Sequence, residues 1–179
     1  MSIEIIGLSG KVGSGKSFVR NLLRDRGWFP WGFAWHLKNM ALMEPPFSWS
    51  DLHFAKPPEV RTFLQQLGTE QGRDKYGEDC WVHATHAWLL TLSSFCQVQR
   101  FVIDDVRFPN EARWIKRMGG QVVRLEHGDR PYPLAGTPAA EHASETALDG
   151  YVGFDCTIVN GLSTTPMNII HALEEAHIL

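Results

Sequence analysis

The chain has 179 residues and a mass of 20.2 kDa, which is the size of one domain. Hydrophobic residues make up 44% and charged residues 21% of the sequence, which is typical of a globular protein and excludes disorder of the whole chain. The net charge is −3, and the absence of a basic excess argues against a nucleic-acid-binding protein.

The sequence also argues against membrane insertion and secretion. No apolar run reaches the roughly 20 residues that span a bilayer, and the first residues lack the basic stretch of a signal peptide. The three cysteines, Cys80, Cys96 and Cys156, are widely spaced and odd in number, so neither disulfides nor a structural zinc site are expected. We therefore expect a cytoplasmic protein, in the host cytoplasm if a phage encodes it, with no membrane partner. The sequence leaves open whether the chain forms a homodimer.

Strands and helices alternate along the first half of the chain. A buried strand over Ile3–Leu8 enters a glycine-rich turn, and the apolar spacing then predicts a helix over Ser17–Arg26. A short strand over 28–33 and a short helix over Leu37–Ala41 follow. Residues 44–58 contain four prolines and are predicted to be a loop. Helices are predicted over Glu59–Arg73 and Cys80–Phe95.

The second half returns to alternating elements. A core strand over Phe101–Ile103 is expected to end at Asp104-Asp105, and the elements after it are a helix over Pro109–Met118, a strand over Gln121–Leu125, a Pro- and Gly-rich mobile loop over 126–140, a short helix over Glu141–Leu148, a strand over Phe154–Val159 and a helix over Pro166–His177. This order predicts an α/β fold with a mostly parallel sheet. The core takes in about 1–33 and 98–179, and the helical stretch 34–97 is an insertion beside the sheet.

The residues between the first strand and the first helix fit the phosphate-binding pattern G-x-x-x-x-G-K-[ST]. They are Gly10, Lys11, Val12, Gly13, Ser14, Gly15, Lys16 and Ser17. Glycines let successive backbone N–H groups surround a phosphate chain, and the N-terminus of the helix adds the positive end of its dipole. Lys16 supplies a charge to the β- and γ-phosphates, and the Ser17 hydroxyl is placed for Mg²⁺. A dinucleotide-binding G-x-G-x-x-G is disfavoured, because it needs glycine at Phe18.

An acidic pair follows the core strand at Asp104 and Asp105, at the sheet edge where open α/β sheets bind ligands. One carboxylate is suited to a Mg²⁺-bound water and the other to an acceptor, although either aspartate could instead cap the helix that begins at Pro109. Arg107 can make a bidentate contact to phosphate. Phosphoryl transfer depends on charge stabilisation, so we expect several arginines around this edge, from among Arg61, Arg73, Arg107, Arg124 and Arg130.

Four blocks, taken with the phosphate-binding loop, resemble the bacteriophage-type deoxynucleoside monophosphate kinases. They are Phe63-Leu64-Gln65-Gln66-Leu67-Gly68-Thr69-Glu70 flanked by Arg61 and Arg73, Asp105-Val106-Arg107-Phe108-Pro109-Asn110-Glu111, His142-Ala143-Ser144-Glu145, and Asp155-Cys156-Thr157-Ile158-Val159-Asn160. They span nearly the whole chain in the order of that family. The resemblance implies a P-loop three-layer sandwich with a helical monophosphate-binding insertion and a lid over about 126–146. It implies transfer of the γ-phosphate of ATP to a deoxynucleoside monophosphate, with Mg²⁺ as cofactor.

The resemblance also implies roles for individual residues. Asp105 and Arg107 would lie at the reaction centre, Arg124 and Arg130 would come from the lid region, and Lys16 and Arg130 would also be catalytic. With Asp105 placed there, the motif and the acidic pair assign the metal to Ser17 and Asp104, although the sequence alone does not decide which aspartate serves the metal. ATP would contact the phosphate-binding loop, Arg124 and Asn160, the last of these beside the adenine. The acceptor would contact Lys38, Arg61, Gln65, Thr69, Arg73, Trp81, Asp105, Arg107 and Glu145, with Arg61 on its phosphate and Gln65 on its base.

One segment departs from the family pattern. The family usually reads Phe-Ala-Asp-Pro-Leu-Lys after the second strand, whereas this chain reads Phe33-Ala34-Trp35-His36-Leu37-Lys38. The base preference of the family therefore cannot be transferred to this chain. Two other functions stay open: a P-loop kinase of another small acceptor such as dephospho-coenzyme A, and a nucleotide-dependent switch protein.

Overall fold

The structure is a computed structural model that describes residues 3–43, 47–55 and 57–179. Its strands form one five-stranded, wholly parallel sheet in the order β2-β3-β1-β4-β5. The strands are β1 (Glu4–Ser9), β2 (Phe29–Trp31), β3 (Arg100–Val106), β4 (Gln121–Glu126) and β5 (Cys156–Val159). The α-helices are α1 (Lys16–Arg24), α2 (Ala34–Ala41), α3 (Pro58–Gln66), α4 (Asp74–Tyr76), α5 (Cys80–Cys96), α6 (Pro109–Arg117), α7 (Ala143–Thr146) and α8 (Pro166–Glu175).

Helices cover both faces of the sheet, because the side chains of each strand alternate between the two faces. Ile5 of β1 belongs to the apolar cluster that includes Val82 of α5 and Ile115 of α6. Its neighbour Ile6 belongs to the opposite cluster, with Leu23 of α1 and residues of α8. The result is the three-layer α/β sandwich predicted from the sequence, with the loop of residues 10–15 leaving the central strand.

The insertion between β2 and β3 has a small core of its own. Leu37, Leu52, Val60 and Leu67 are buried together there. Trp81 packs against this cluster and also against the cluster on the sheet. The insertion is therefore joined to the sandwich through apolar contacts at the base of α5.

The helix predicted over Glu59–Arg73 changes type near its middle. It is α-helical only to Gln66 and continues as a π-helix over Leu67–Arg73. The Trp81 indole N–H donates to the carbonyl oxygen of Gly68 at 2.9 Å, and a Cβ at Gly72 would come within 2.4 Å of the Trp81 ring. A side chain that donates a hydrogen bond to a helix carbonyl oxygen and packs against a glycine of the same helix favours such a change from α-helix to π-helix.

Three other boundaries differ from the sequence-based expectation. Strand β3 continues through both aspartates to Val106, because Val106 still pairs with Ser9 of β1. The segment predicted as a loop over 44–58 contains a π-helical turn at Asp51–Ala55; residues 44–46 and 56 lie outside the described residues. The helix predicted over Glu141–Leu148 is only the four residues of α7, capped by the His142 imidazole, which accepts from the Ser144 N–H.

Candidate active site

A cleft of about 840 Å³ opens between the phosphate-binding loop, the carboxyl end of β3 and the helical insertion. Most of the residues predicted for the site line it. From the loop and α1 these are Val12, Gly13, Gly15, Lys16 and Ser17; from β3 and beyond, Asp104, Asp105, Arg107 and Glu145; and from the insertion, Lys38, Arg61, Gln65, Thr69, Arg73 and Trp81. The fold therefore brings distant parts of the sequence together at the sheet edge where ligands of open α/β sheets bind.

The loop is shaped by glycines at positions that other residues could not occupy. Gly15 has a φ of 95°, and a Cβ there would lie 2.0 Å from the Asn160 amide nitrogen. Asn160 is buried, and its Nδ2 donates to the carbonyl oxygen of Ser14 at 2.9 Å. The side-chain contacts of Asn160 are therefore with the loop itself, and its role beside the adenine stays a prediction. Asn160 supports the loop from the side opposite the cleft.

Lys16 lies folded against the loop. Its Nζ donates to the carbonyl oxygens of Gly10 at 2.5 Å and Lys11 at 2.9 Å. The pKa of Lys16 is lowered to about 7, mainly by burial and in part by Arg107 and Arg124, while Glu145 and Asp104 act in the opposite direction. Phosphate groups in the cleft would favour the charged form of this lysine, because an opposite charge nearby raises a lysine pKa.

The two aspartates of β3 have different partners. An oxygen of Asp104 accepts from Arg20 Nη1 at 2.8 Å. Asp105 accepts from the backbone N–H groups of Phe33 at 2.8 Å and Ala34 at 2.9 Å, where α2 begins. Neither aspartate caps the helix that begins at Pro109, so that alternative is wrong. Asp105 instead anchors the start of α2 to the end of β3.

The N-terminal end of α6 is held by Glu111. Its carboxylate accepts from the backbone N–H groups of Arg107 at 2.7 Å and Phe108 at 3.1 Å, and from Arg73 Nη2 at 2.5 Å. Burial raises the pKa of Glu111 to about 7, although Arg73 and the backbone donors oppose this. Arg73 also donates to the carbonyl oxygen of Glu78. Arg73 lines the cleft, but its hydrogen bonds connect the insertion to α6.

Arg107 and Glu145 form an ion pair at the edge of the cleft. Arg107 Nη1 donates to Glu145 Oε1 and, at 2.9 Å, to the carbonyl oxygen of Ser144. The second Glu145 oxygen accepts from the Val12 N–H at 2.9 Å and from the Tyr132 hydroxyl at 3.2 Å. Burial alone would raise the pKa of Glu145, but Arg107, the Val12 N–H and Lys16 together lower it.

Two predicted arginines do not line the cleft. Arg124 lies near Ser9 and Asp149, with side-chain contacts of 3.4 Å to each. Arg130 Nη2 donates to the carbonyl oxygen of Gly161 at 3.0 Å, just after β5. Among the other loop residues, Gly10, Lys11 and Ser14 also fall outside the cleft lining, with Lys11 paired to Asp149 at 2.9 Å.

Sequence reasoning missed the polar face of α1. Arg20, Asn21 and Arg24 follow Ser17 at helical spacing and line the cleft. This spacing was a usable signal, because residues three, four and seven positions after Ser17 share its helix face. An aromatic wall of Trp35, Trp49 and His53 lines the side of the cleft that the insertion forms, whereas the sequence favoured core packing for these tryptophans over stacking on a base. Trp35 stacks on Trp31 with ring centroids 5.0 Å apart, which fixes its plane.

A phosphate-binding loop after the central strand of a parallel sheet, opening on a cleft with lysine, arginine and paired aspartates, defines a P-loop kinase. No family model matches the chain. A protein of Acanthamoeba polyphaga mimivirus named "Putative deoxynucleotide monophosphate kinase" is 30% identical over 175 residues, in an alignment that covers 87% of this chain and 88% of that protein. The chain belongs to this family of deoxynucleotide monophosphate kinases.

Among solved structures, a shikimate kinase from Bacteroides thetaiotaomicron aligns with 97% of this chain and 95% of its own, at 14% identity and a TM-score of 0.48. In the described part of the chain, no helix combines the length and apolar character needed to cross a bilayer.

Proposed function

We propose that the protein transfers the γ-phosphate of ATP to a deoxynucleoside 5′-monophosphate and yields the diphosphate. The observation that carries the proposal is that one cleft joins the phosphate-binding loop to Arg61 and Gln65 of the insertion. A phosphate donor and a nucleotide acceptor can therefore meet at the carboxyl end of β3. The viral relative supports the same substrate class.

The donor phosphates would lie along the loop, where the N–H groups of residues 13–17 and the start of α1 favour negative charge. Lys16 would leave the carbonyl oxygens of Gly10 and Lys11 and contact the β- and γ-phosphates. Loss of those two hydrogen bonds is offset by a stronger, charge-assisted contact to phosphate.

The acceptor would enter from the insertion. Lys38 and Arg61 supply positive charge for its phosphate, and Gln65 supplies an amide that can both donate to and accept from a base. Trp35 and Trp49 provide flat apolar surfaces on the same side of the cleft. A charged pocket beside an aromatic wall is suited to a nucleoside monophosphate, which carries an anionic group and a flat base.

The reaction joins an oxygen of the acceptor phosphate to the γ-phosphorus and breaks the bond from that phosphorus to the β,γ-bridging oxygen, so ADP leaves. The attacking oxygen is already anionic near neutral pH, and the chain therefore needs to neutralise charge more than it needs a general base. Lys16 and Arg107 would do this from opposite sides of the transferring group. Asp105 would lie at the reaction centre and keep the start of α2 in place through its two backbone contacts.

The residues at this edge fit a magnesium ion. The Ser17 hydroxyl and the Asp104 carboxylate both line the cleft, and oxygen donors of this kind suit Mg²⁺ when substrate phosphates complete its coordination. When bound, the ion would neutralise charge on the β- and γ-phosphates. Arg20 holds Asp104 in place on this side of the cleft.

The test is ADP formation, measured in a coupled assay with ATP, Mg²⁺ and a panel of acceptors. The panel contains the four deoxynucleoside monophosphates, their ribonucleotide counterparts and dephospho-coenzyme A. We expect at least one deoxynucleoside monophosphate to stimulate ADP formation, and Arg61→Ala to raise the KM for that acceptor. Arg117→Ala is the matched control, because Arg117 is an exposed arginine in the last turn of α6. Stimulation by dephospho-coenzyme A alone, or by no acceptor, would show that the proposed substrate class is wrong.

A further inference from the structure

The phosphate-binding loop is held at Val12 by residues from outside the loop. The Val12 N–H donates to Glu145 Oε2 at 2.9 Å, and the Val12 carbonyl oxygen lies 2.7 Å from His127 Nε2. Next to them, Pro133 packs so closely on Gly13 that a Cβ there would lie 2.8 Å from the proline ring. The segment between β4 and β5 therefore fixes the apex of the loop, and leaves the N–H groups of residues 13–17 for a phosphate.

Glu145 joins this apex to the end of β3. While Oε2 contacts Val12, Oε1 accepts from Arg107 Nη1. The Glu145 side chain is only 3% exposed, so water competes little for either contact. One carboxylate thus connects two elements that are about 95 residues apart in sequence and that both line the cleft.

The orientation of Arg107 follows from these contacts. Its Nη1 group has two N–H bonds, and they are directed to Glu145 and to the Ser144 carbonyl oxygen. Within the described part of the chain, the Nε and Nη2 groups of Arg107 make no hydrogen bond to a protein acceptor. They form the edge of the guanidinium that is left to contact phosphate oxygens.

We propose that Glu145 is a positioning residue for phosphoryl transfer, and not a residue that contacts the acceptor. It holds Arg107 by Nη1, so that the free edge of the guanidinium is presented to the transferring phosphoryl group at a fixed distance from the loop. Both of its oxygens already have protein donors, and a carboxylate placed against an acceptor phosphate would repel it. The proposal rests on phosphoryl transfer in this cleft, but not on the identity of the acceptor.

A double-mutant cycle tests it, with Glu145→Gln, Arg107→Ala and the double variant compared for kcat, KM and affinity for ADP. We expect Glu145→Gln to lower kcat by roughly 10- to 100-fold, the loss typical of a misplaced reacting group, with a much smaller change in KM. In the Arg107→Ala background the same substitution should cause little further loss, because Glu145 acts through Arg107. Tyr132→Phe is the control: it removes another contact to the same carboxylate and should leave kcat within about twofold.

Two results would overturn the proposal. Additive losses in kcat would show that Glu145 acts independently of Arg107. A normal kcat in Glu145→Gln with a lowered unfolding temperature would show a purely structural role. The same four proteins are also compared for their slow hydrolysis of ATP without acceptor. This rate tests the coupling of Glu145 to Arg107 even if the proposed acceptor is wrong. If Glu145→Gln unfolds, Glu145→Asp keeps the charge with a shorter reach and should give the same loss in kcat without additivity.

Discussion

Replacing Asp105 by asparagine should lower both stability and turnover. The same change at Asp104 should leave stability close to that of the parent protein. Asp105 accepts one backbone N–H on each carboxylate oxygen, from Phe33 and from Ala34. Asparagine offers one oxygen and one NH₂ group, so one of the two N–H donors would face another donor and lose its partner. Asp104 has its carboxylate directed to the Arg20 side chain instead, and asparagine there leaves the backbone contacts intact.

The expected size follows from these contacts. An unpaired N–H in a part-buried position costs about 1–3 kcal/mol of unfolding free energy. For a chain of this length about 1 kcal/mol corresponds to about 2–4 °C, so Asp105→Asn should unfold about 2–12 °C below the parent protein. Asp104→Asn should unfold close to the parent temperature, but should need a higher Mg²⁺ concentration for half-maximal rate if Asp104 is the charged ligand that we propose.

Thermal unfolding and initial rates over a range of Mg²⁺ concentrations measure both effects. Asp74→Asn is the matched control, because Asp74 is an exposed carboxylate at the start of α4 that does not line the cleft. If Asp105→Asn unfolds at the parent temperature, the two backbone contacts do not anchor α2. If Asp104→Asn loses turnover while Asp105→Asn keeps it, Asp105 does not serve the reaction centre.

Three further predictions address the lysine, a buried carboxylate and the lid. Lys16→Ala should fold normally and lose turnover by roughly a hundredfold or more in the ADP assay, because it removes charge stabilisation of the phosphates; near-parent turnover would exclude Lys16 from the site. Burial raises the pKa of Glu111 from 4.5 to about 7, so protonated Glu111 stabilises the fold fully below pH 4.5, and this stabilisation is lost as the pH rises towards 7. Urea unfolding at pH 5 and pH 8 should therefore show a larger loss of unfolding free energy in the parent protein than in Glu111→Gln. An equal pH dependence of the two proteins would contradict this prediction. Residues 126–140 have little apolar area on the core, so their hydrogen exchange should slow strongly when an ATP–deoxynucleotide bisubstrate analogue binds, with α8 unchanged; equal exchange with and without the analogue would show that this segment is not the lid.

Local signals predicted the framework of the fold. The apolar run of β1, the glycine-rich loop and the helical spacing of α1 lie next to one another in sequence, so their chemistry could be inferred without tertiary information. The strands and α6 were placed to within a few residues for the same reason. The acidic pair was recognised because carboxylates after an apolar strand lie at the binding edge of a parallel sheet.

The partners of these residues depend on tertiary contacts that no local pattern contains. The contact of Asn160 with the loop beneath Gly15 was not predicted, because it depends on how β5 lies beside the loop. Glu111 was not singled out, because its role depends on Arg73 reaching it from the insertion. The π-helix after Gln66 arises from the Trp81 indole, which comes from the next long helix. In each case both partners can be seen in the sequence, but no local pattern shows that they meet in the folded chain.

We propose above that one cleft passes a phosphoryl group from ATP to a deoxynucleoside monophosphate. The most direct test of this proposal follows the label from ATP carrying ³²P in the γ-position, with Mg²⁺ and an equimolar mixture of the four deoxynucleoside monophosphates, and separates the products by chromatography. We expect the label to appear in one or more deoxynucleoside diphosphates, at a rate that falls sharply in Lys16→Ala. Label recovered only as inorganic phosphate, or transferred equally fast by Lys16→Ala, would contradict it.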